Sequence, residues 1–385
     1  MILFTLKNVL LMMVVRRGIA NTSVDKNYIE ALIEWVRSKG GFFSEKLEIR
    51  RMNPNDAQSP MGVYATQNIG IEESLLKVPP ECYIGLWGDE IKRVDERRSH
   101  DEARWNVYWE NLCLLSQKLL KEMRNDKNES QYTPYIEYLK TQKPGQLPAM
   151  WSEAGKDVIR KILGTGKSTS YGDYVLPPRD AVDWLHKHFV KTNCIRADDP
   201  FEAHVVEMTV QRGYDTAIIP LWDMVNHDNT RINTNNTPMY AEGGLHVWAR
   251  KDIRAGEEIY GSYNECVDCG NTTDYWGTPE IFRDFGFLES YPQHWIFADH
   301  GIHFMVYLED GELDAEFYDY GKPDEKGITF LREQYQRLEA MEKRDLVDRG
   351  MIPKHEWDAI LQFYWNIRDA IDCALYTGTT AHEEL

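Results

Sequence analysis

The run from Ile219 to Asp228 is an apolar segment that ends in side chains able to form hydrogen bonds. Asn226 and His227 stand near its end and could present donors and acceptors to a small polar ligand. Asn, His and Asp are also common in turns, so the segment alone fits a turn as well as a site. Tyr263 and then the motif Asp284-Phe285-Gly286-Phe287 follow it along the chain.

Several common chemistries lack their motifs in this sequence. No GxxxxGK[ST] loop and no GxGxxG fingerprint is present, so nucleotide sites that cradle phosphates have no support. The HExxH motif of zinc proteases and the GxSxG motif of serine hydrolases are absent too.

Cys266 and Cys269 form a CxxC pair, whose purpose the sequence leaves open. A tetrahedral zinc site needs four ligands, and there is no second close pair. A redox pair or disulfide, or ordinary thiols in a loop, are the alternatives. Six cysteines in 385 residues are too sparse for a disulfide scaffold, and we assign no metal ligand.

The elements that must position these residues alternate in character along the chain. Apolar spacing predicts a helix over 29–36, helices between about 90 and 215 (among them 180–190 and 201–210), and helices after 325. Strand-like runs cover 62–65, 75–78, 245–249 and 258–263. The two β segments must pair to bury their faces. The predicted fold class is therefore α+β, a split and mainly β domain with a helical insertion, followed by a helical C-terminal domain.

The order and spacing of these segments resemble the SET-domain methyltransferases, in particular the subgroup of Rubisco and other non-histone lysine methyltransferases. The resemblance is carried by the runs 34–41, 62–66, 76–79, 223–227 and 255–259, together with Tyr263 and the motif that ends at Phe287. It covers roughly residues 28 to 290, and the helical tail is similar to the subgroup's substrate-binding domain only in position and type.

The resemblance implies a role for each matching residue. S-adenosylmethionine would be bound by Gly62, Val63, Tyr64, Asp223, Asn226 and His227. Tyr263 would be the catalytic tyrosine, and Phe287 would wall the channel that admits the target side chain. Tyr260 is a second channel candidate, although its spacing from Tyr263 in a strand places it on the opposite face, as expected of a core tyrosine.

The sequence departs from the family pattern at three single residues and in an extra loop, Glu265 to Gly277, which contains the CxxC pair. Pro60 replaces the first glycine of a Gly-x-Gly pattern, which puts the shape of that loop in question. Asn264 follows Tyr263 where glycine is usual, and Thr278 stands at a position where the subgroup commonly has asparagine.

The net charge of −18 argues against direct nucleic-acid binding and favours a protein substrate with a basic segment. No apolar run is long enough to span a bilayer. The expected oligomeric state is a monomer. The leader-like N-terminus and the final residues His382-Glu383-Glu384-Leu385 leave the endoplasmic reticulum open beside the cytoplasm and nucleus.

The combined prediction is an S-adenosylmethionine-dependent protein-lysine N-methyltransferase acting on a non-histone substrate. Its expected organisation is a leader or disordered segment over 1–27, a SET domain over 28–290 with the helical insertion at about 90–215, and a substrate-binding, mainly helical domain over 291–385. The alternatives are an inactive SET-fold binding module, a methyltransferase of another side chain such as histidine, and a structural protein of the endoplasmic reticulum.

Overall fold

The computed structural model describes residues 26–53, 59–93, 101–125, 130–166, 173–263, 276–318 and 321–380. Its helices are α1 (26–38), α2 (Asp101–Arg124), α3 (Thr133–Leu139), α4 (Glu153–Leu163), α5 (Pro200–Arg212), α6 (Thr278–Phe285), α7 (Glu325–Asp345) and α8 (Lys354–Thr380). Its strands are β1 (Phe42–Phe43), β2 (Leu47–Arg51), β3 (Met61–Ala65), β4 (Ser74–Val78), β5 (Ile84–Gly85), β6 (Gly213–Tyr214), β7 (Ala217–Ile218), β8 (Asn226–His227), β9 (Thr234–Asn236), β10 (Leu245–Ala249), β11 (Tyr260–Gly261), β12 (Gln293–Phe297), β13 (Ile302–Glu309) and β14 (Glu312–Phe317). The predicted α+β class is confirmed.

The chain divides into two compact units, and each is assembled from separate stretches of sequence. Unit 1 comprises Met1–Ile91, Leu115–Gln142 and Arg212–Ser262. Unit 2 comprises Lys92–Leu114, Lys143–Gln211 and Tyr263–Leu385. The predicted helical insertion is therefore shared between them, because 115–142 belongs to unit 1 and most of the remainder to unit 2.

Unit 1 is built from small sheets, and its largest pairs strands that are distant in sequence. Four strands follow the order β1-β4-β10-β9. Leu76 lies opposite Val247, and Val78 lies opposite Leu245. All four of these side chains are buried, so the pairing removes the apolar residues of both strands from water. The pairing was predicted, because each of the two β segments needs a partner to cover its apolar face.

Unit 2 contains the sheet β12-β13-β14 together with α4 to α8, apart from Arg212 at the end of α5. Inward-facing residues of β13 alternate with half-buried ones, and Ile302, Phe304 and Val306 are buried. They share one apolar cluster with residues of α6, α7 and α8 such as Phe282, Leu331 and Phe363. The helices after 325 were predicted, whereas this sheet was not identified from the sequence.

The predicted helix over 180–190 forms only in its second half. Asp180 has a φ of 55°, which is incompatible with helical backbone, and regular π-helical turns run over Leu185–Val190. The Asp180 carboxylate accepts hydrogen bonds from Lys187 Nζ and His188 Nε2, both at 2.8 Å. The prediction that the helix begins at Asp180 was wrong. Asp180 has a left-handed backbone conformation, and its buried carboxylate is bound by Lys187 and His188 of the segment Leu185–Val190.

A disulfide links Cys113 of α2 to Cys194, which follows Leu185–Val190 by four residues. Both cysteines belong to unit 2, and Cys82 and Cys373 are buried free thiols. The pair Cys266 and Cys269 lies outside the described residues. No helix in the described ranges is long and apolar enough to cross a membrane.

Candidate active site

The predicted cofactor residues of unit 1 are brought together by backbone pairing around residues 257–261. Ile259 N donates to Val63 O at 2.8 Å, and Ala65 N donates to Glu257 O at 2.8 Å, so this segment runs beside β3. Its continuation, β11, pairs in parallel with β8. Gly62, Val63 and Tyr64 on one side and Asn226 and His227 on the other therefore flank one segment.

The Asn226 side chain closes this arrangement. Its Nδ2 donates to Met61 O at 3.0 Å and to Glu258 Oε1 at 2.7 Å. His227 next to it is buried, at 8% exposure. Asn226 thus ties β8 both to the backbone of β3 and to an acidic side chain.

Glu258 is the residue of this cluster that sequence reasoning missed. Its Oε2 accepts a hydrogen bond from the Tyr260 hydroxyl at 2.8 Å, while Oε1 accepts from Asn226. Burial, and next the charge of Glu258, raise the pKa of Tyr64 to about 12. The available signal was a carboxylate that stands two residues before an aromatic hydroxyl in a strand.

Gly62 is required by the close approach of these side chains. A Cβ built on Gly62 would collide with Glu258 Oε1 and would lie 3.0 Å from Asn226 Nδ2. The absence of a side chain therefore admits Glu258 and Asn226 to the backbone of β3.

Asp223 lies inside unit 1, where one of its oxygens is fully engaged. Oδ2 accepts from Arg212 Nη1 at 2.7 Å and from the Tyr135 hydroxyl at 2.8 Å, and the side chain is 1% exposed. Burial, the larger effect, raises the pKa of Asp223, and the Arg212 guanidinium and the Tyr135 hydroxyl oppose that rise. Oδ1 is buried and has no hydrogen-bond partner within the described ranges, so an acceptor remains available there.

Tyr260, predicted as a channel candidate, is 5% exposed and is enclosed by charged neighbours. Its hydroxyl is bound to Glu258, and the Arg231 guanidinium lies 4.4 Å from its ring centroid. Burial and the hydrogen bond to Glu258 raise its pKa, so the phenol stays protonated at neutral pH.

Tyr263 and Phe287 lie together in unit 2, where they meet a third aromatic ring. The Tyr263 ring centroid is 4.5 Å from that of Phe285 and 6.4 Å from that of Phe287. Gly286, at the C-terminus of α6, has a φ of 76°, and its N–H donates to Phe282 O at 3.0 Å. This left-handed cap turns the chain so that the residues on both sides of Gly286 contact Tyr263.

The departures from the family pattern are only partly visible in the structure. Asn264 lies outside the described residues. Pro60 O accepts from Met52 N at 2.9 Å, next to the strand pair β2–β3. Thr278 begins α6, and its buried hydroxyl donates to Glu289. Across the described parts of the chain, no three His, Cys, Asp or Glu side chains are grouped as metal ligands.

Comparison with known proteins matches residues 60–264 to the SET domain. This stretch is more than half of the chain and contains the predicted cofactor residues, Tyr260 and Tyr263. The chain belongs to the SET-domain family.

A curated relative is ribosomal lysine N-methyltransferase 4 of Saccharomyces cerevisiae, at 21% identity over 351 residues. The alignment covers 83% of this chain and 66% of that protein, so the chain spans slightly less than two thirds of the relative's length. One similar solved structure is Rubisco LSMT bound to sinefungin and monomethyllysine, at 13% identity and a TM-score of 0.46; the match covers 93% of this chain and 92% of that chain. Another is Rubisco LSMT bound to AdoMet, at 14% identity and a TM-score of 0.44, where the match covers 91% of this chain and 88% of that chain.

Proposed function

We propose that this chain is an S-adenosylmethionine-dependent protein-lysine N-methyltransferase. The observation that carries the proposal is the junction of Asn226 with the backbone of β3 and with Glu258, inside the stretch that matches the SET domain. The name of the yeast relative, a ribosomal lysine N-methyltransferase, supports lysine as the target and ribosomal proteins as the substrate class.

The residues of unit 1 fit a cofactor that carries both an ammonium group and polar ring atoms. Oδ1 of Asp223, which accepts no hydrogen bond from the residues that the structure describes, can accept one from an amino group, and His227 with the backbone of Gly62 to Tyr64 can supply further contacts. When bound by these residues, S-adenosylmethionine would supply an electrophilic methyl group on its sulfonium sulfur.

The target amine must be neutral to attack. A free lysine has a pKa near 10.4, so at pH 7 nearly all of it is protonated. In the channel we propose, the rings of Phe285 and Phe287 beside Tyr263 would surround the target amine and disfavour its ammonium form, so that the proton passes to water before transfer. The Tyr263 hydroxyl then accepts a hydrogen bond from the amine and aligns its lone pair, which is catalysis by orientation.

The protein substrate we propose carries a basic segment. Opposite charge steers association, and a chain of net charge −18 attracts lysine-rich segments. We also propose that 28–290 acts as the catalytic SET domain and that 291–385 binds the substrate protein.

The first test separates cofactor binding from transfer. Titration of S-adenosylmethionine into the full chain should give binding that Asn226→Ala abolishes and Tyr263→Phe retains. Asn236→Ala is the matched control, because Asn236 is also a half-buried strand asparagine of unit 1 but bonds to Tyr214 and to the Thr237 carbonyl. A folded wild-type chain that does not bind the cofactor would contradict the proposal.

The second test uses radiolabelled S-adenosylmethionine and ribosomal proteins of Saccharomyces cerevisiae. Tyr263→Phe should lower the rate about 10²-fold or more, while Tyr240→Phe, which removes from an exposed residue a hydroxyl bound to the Thr216 side chain, should leave it unchanged. Hydrolysis of the labelled product identifies the methylated residue, so label on histidine would contradict the lysine proposal. Cofactor binding without transfer would instead favour the inactive binding module.

A further inference from the structure

Unit 2 contains a buried carboxylate that the proposed reaction does not use. Glu207 of α5 is 0% exposed, and three consecutive backbone N–H groups donate to it. Gly145 N donates to Oε2 at 3.0 Å, Gln146 N to Oε1 at 2.6 Å and Leu147 N to Oε1 at 3.2 Å. His204 Nδ1 lies 3.1 Å from Oε2. One side chain therefore fixes the whole loop 145–147.

The loop held by Glu207 touches the aromatic motif that surrounds Tyr263. A Cβ added to Gly286 would lie 2.6 Å from Gln146 O and 3.7 Å from Leu147 Cδ2. Gly286 separates Phe285 from Phe287, and both rings contact Tyr263. A continuous series of contacts thus leads from the carboxylate through the loop and Gly286 to the tyrosine ring.

We propose that Glu207 is a positioning residue for the lysine channel. It holds the loop 145–147 against Gly286, and this contact sets the separation of Phe285 and Phe287 beside Tyr263. The inference rests on the proposed methyl transfer at Tyr263. It adds a residue that controls how the target side chain is held, without touching the cofactor or the reacting atoms.

The charge of Glu207 is what the arrangement requires. Three N–H donors converge on two oxygens, and hydrogen bonds to an ionised acceptor are roughly twice as strong as neutral ones. An amide at this position would place its NH₂ group against N–H donors and would leave at least one of them unsatisfied in the interior. Glu207→Gln is therefore expected to loosen the loop while nearly preserving the side-chain volume.

The experiment combines kinetics with a spectroscopic signal from Tyr263. Chains labelled with 3-fluorotyrosine are compared by ¹⁹F NMR, and the Tyr263 signal is assigned by its loss in Tyr263→Phe. Glu207→Gln should shift or broaden that signal and raise KM for the ribosomal proteins about fivefold, with the dissociation constant of S-adenosylmethionine changed less than about twofold.

The matched control is Glu202→Gln on the same helix. Glu202 is 5% exposed and also accepts from a backbone N–H, that of Arg196, at 2.7 Å. This bond lies outside the series of contacts that reaches Tyr263. Glu202→Gln should therefore leave both the ¹⁹F signal and KM unchanged.

A second variant approaches the same contact from the opposite side. Gly286→Ala forces a Cβ against Gln146 O at a φ of 76°, so it should move the Tyr263 signal in the same way. If Glu207→Gln fails to fold, Glu207→Asp takes its place: it keeps the charge but shortens the reach to the three N–H donors of the loop, so it should move the Tyr263 signal as well.

A Tyr263 signal that stays in place in these variants overturns the inference, whatever the activity. Equal losses of cofactor and substrate affinity in Glu207→Gln also overturn it, because general disorder would act on both. If the signal moves but the wild-type chain transfers no methyl group, the positioning contact is supported and the methyltransferase proposal is the one that fails.

Discussion

The ion pair between Arg212 and Asp223 makes the interior of unit 1 sensitive to single changes. Arg212 is 16% exposed, and it also donates to Gln142 Oε1 at 2.7 Å. Because the Asp223 side chain is almost fully shielded, removal of its cationic partner leaves a buried charge without compensation.

Arg212→Met should therefore lower the free energy of unfolding by about 3–5 kcal/mol, measured by urea denaturation. Lys354→Met is the control, since Lys354 pairs with Asp358 at side-chain exposures of 77% and 50%. That exposed pair should contribute less than about 1 kcal/mol. Similar losses in the two variants would contradict this account of Asp223.

At the residue scale, the sequence indicated which side chains lie close together but did not indicate which hydrogen bonds they form. Asn226 and His227 were predicted as a pair, and the structure brings them beside the segment that adjoins Gly62. Glu258 was not predicted, because its bond to Asn226 depends on the register of two strands that lie far apart in the chain. The roles in binding or catalysis of every predicted site residue stay predictions: Gly62 to Tyr64, Asp223, Asn226, His227, Tyr260, Tyr263 and Phe287.

At the element scale, α6 links a buried acid to the aromatic motif at its end. Glu280 Oε2 accepts from Gly277 N at 3.0 Å, which caps the first turn, and the residue is 6% exposed. Burial raises the pKa of Glu280 from 4.5 to about 7, and the positive charge of Arg283 offsets part of that rise. The folded chain therefore holds this proton at pH values where the unfolded chain has released it.

The sign of the resulting pH dependence follows from that difference. Between pH 4.5 and about 7 the folded state binds more protons at this site, so stability falls as the pH rises through this window. The stability of the wild-type chain relative to Glu280→Gln should drop by roughly 1–3 kcal/mol from pH 5 to pH 8. Urea denaturation at both pH values measures it, and parallel profiles of the two chains would disprove the shift.

Helices and long-range strand pairing were predictable, whereas the sheet β12-β13-β14 was not. The helices after 325 carry apolar residues at helical spacing, and β4 and β10 each needed an apolar partner. In β13 the outward positions are His303, Met305 and Tyr307, which are half-buried. Outward residues of mixed polarity obscure the alternation that identifies a strand.

At the scale of the whole molecule, the bond between Cys113 and Cys194 joins two stretches of unit 2 across a sequence separation of 81 residues. Closing so long a loop restricts the unfolded chain, which stabilises the folded state by about 2–4 kcal/mol. The double variant Cys113→Ser/Cys194→Ser should unfold at a correspondingly lower urea concentration. Adding reductant should lower the stability of the wild-type chain and leave that variant unchanged, and an equal response of both would contradict the assignment.

Neither the disulfide nor the division of the chain into two units could be predicted from the sequence. Burial requirements predicted one β portion interrupted by a helical insertion, which matches the pairing of β4 with β10. Cysteine spacing drew attention to Cys266 and Cys269 instead, because pairing across 81 residues leaves no local pattern. The boundary between the two units falls inside α2, between Leu114 and Leu115, and could not be predicted from the sequence either. The apolar stripe of this helix continues across the boundary through Trp109, Leu112, Leu115 and Leu119.

The position of the disulfide also determines the band pattern that limited proteolysis of this protein gives on a denaturing gel. A single cut anywhere from residue 114 to residue 193 severs the polypeptide, yet the two fragments remain covalently joined through Cys113 and Cys194. Such nicked molecules would migrate as one band on a denaturing gel without reductant and separate into two bands once it is added. Limited proteolysis of this chain must therefore be analysed under both conditions, because the non-reduced band alone would hide every cut inside the loop.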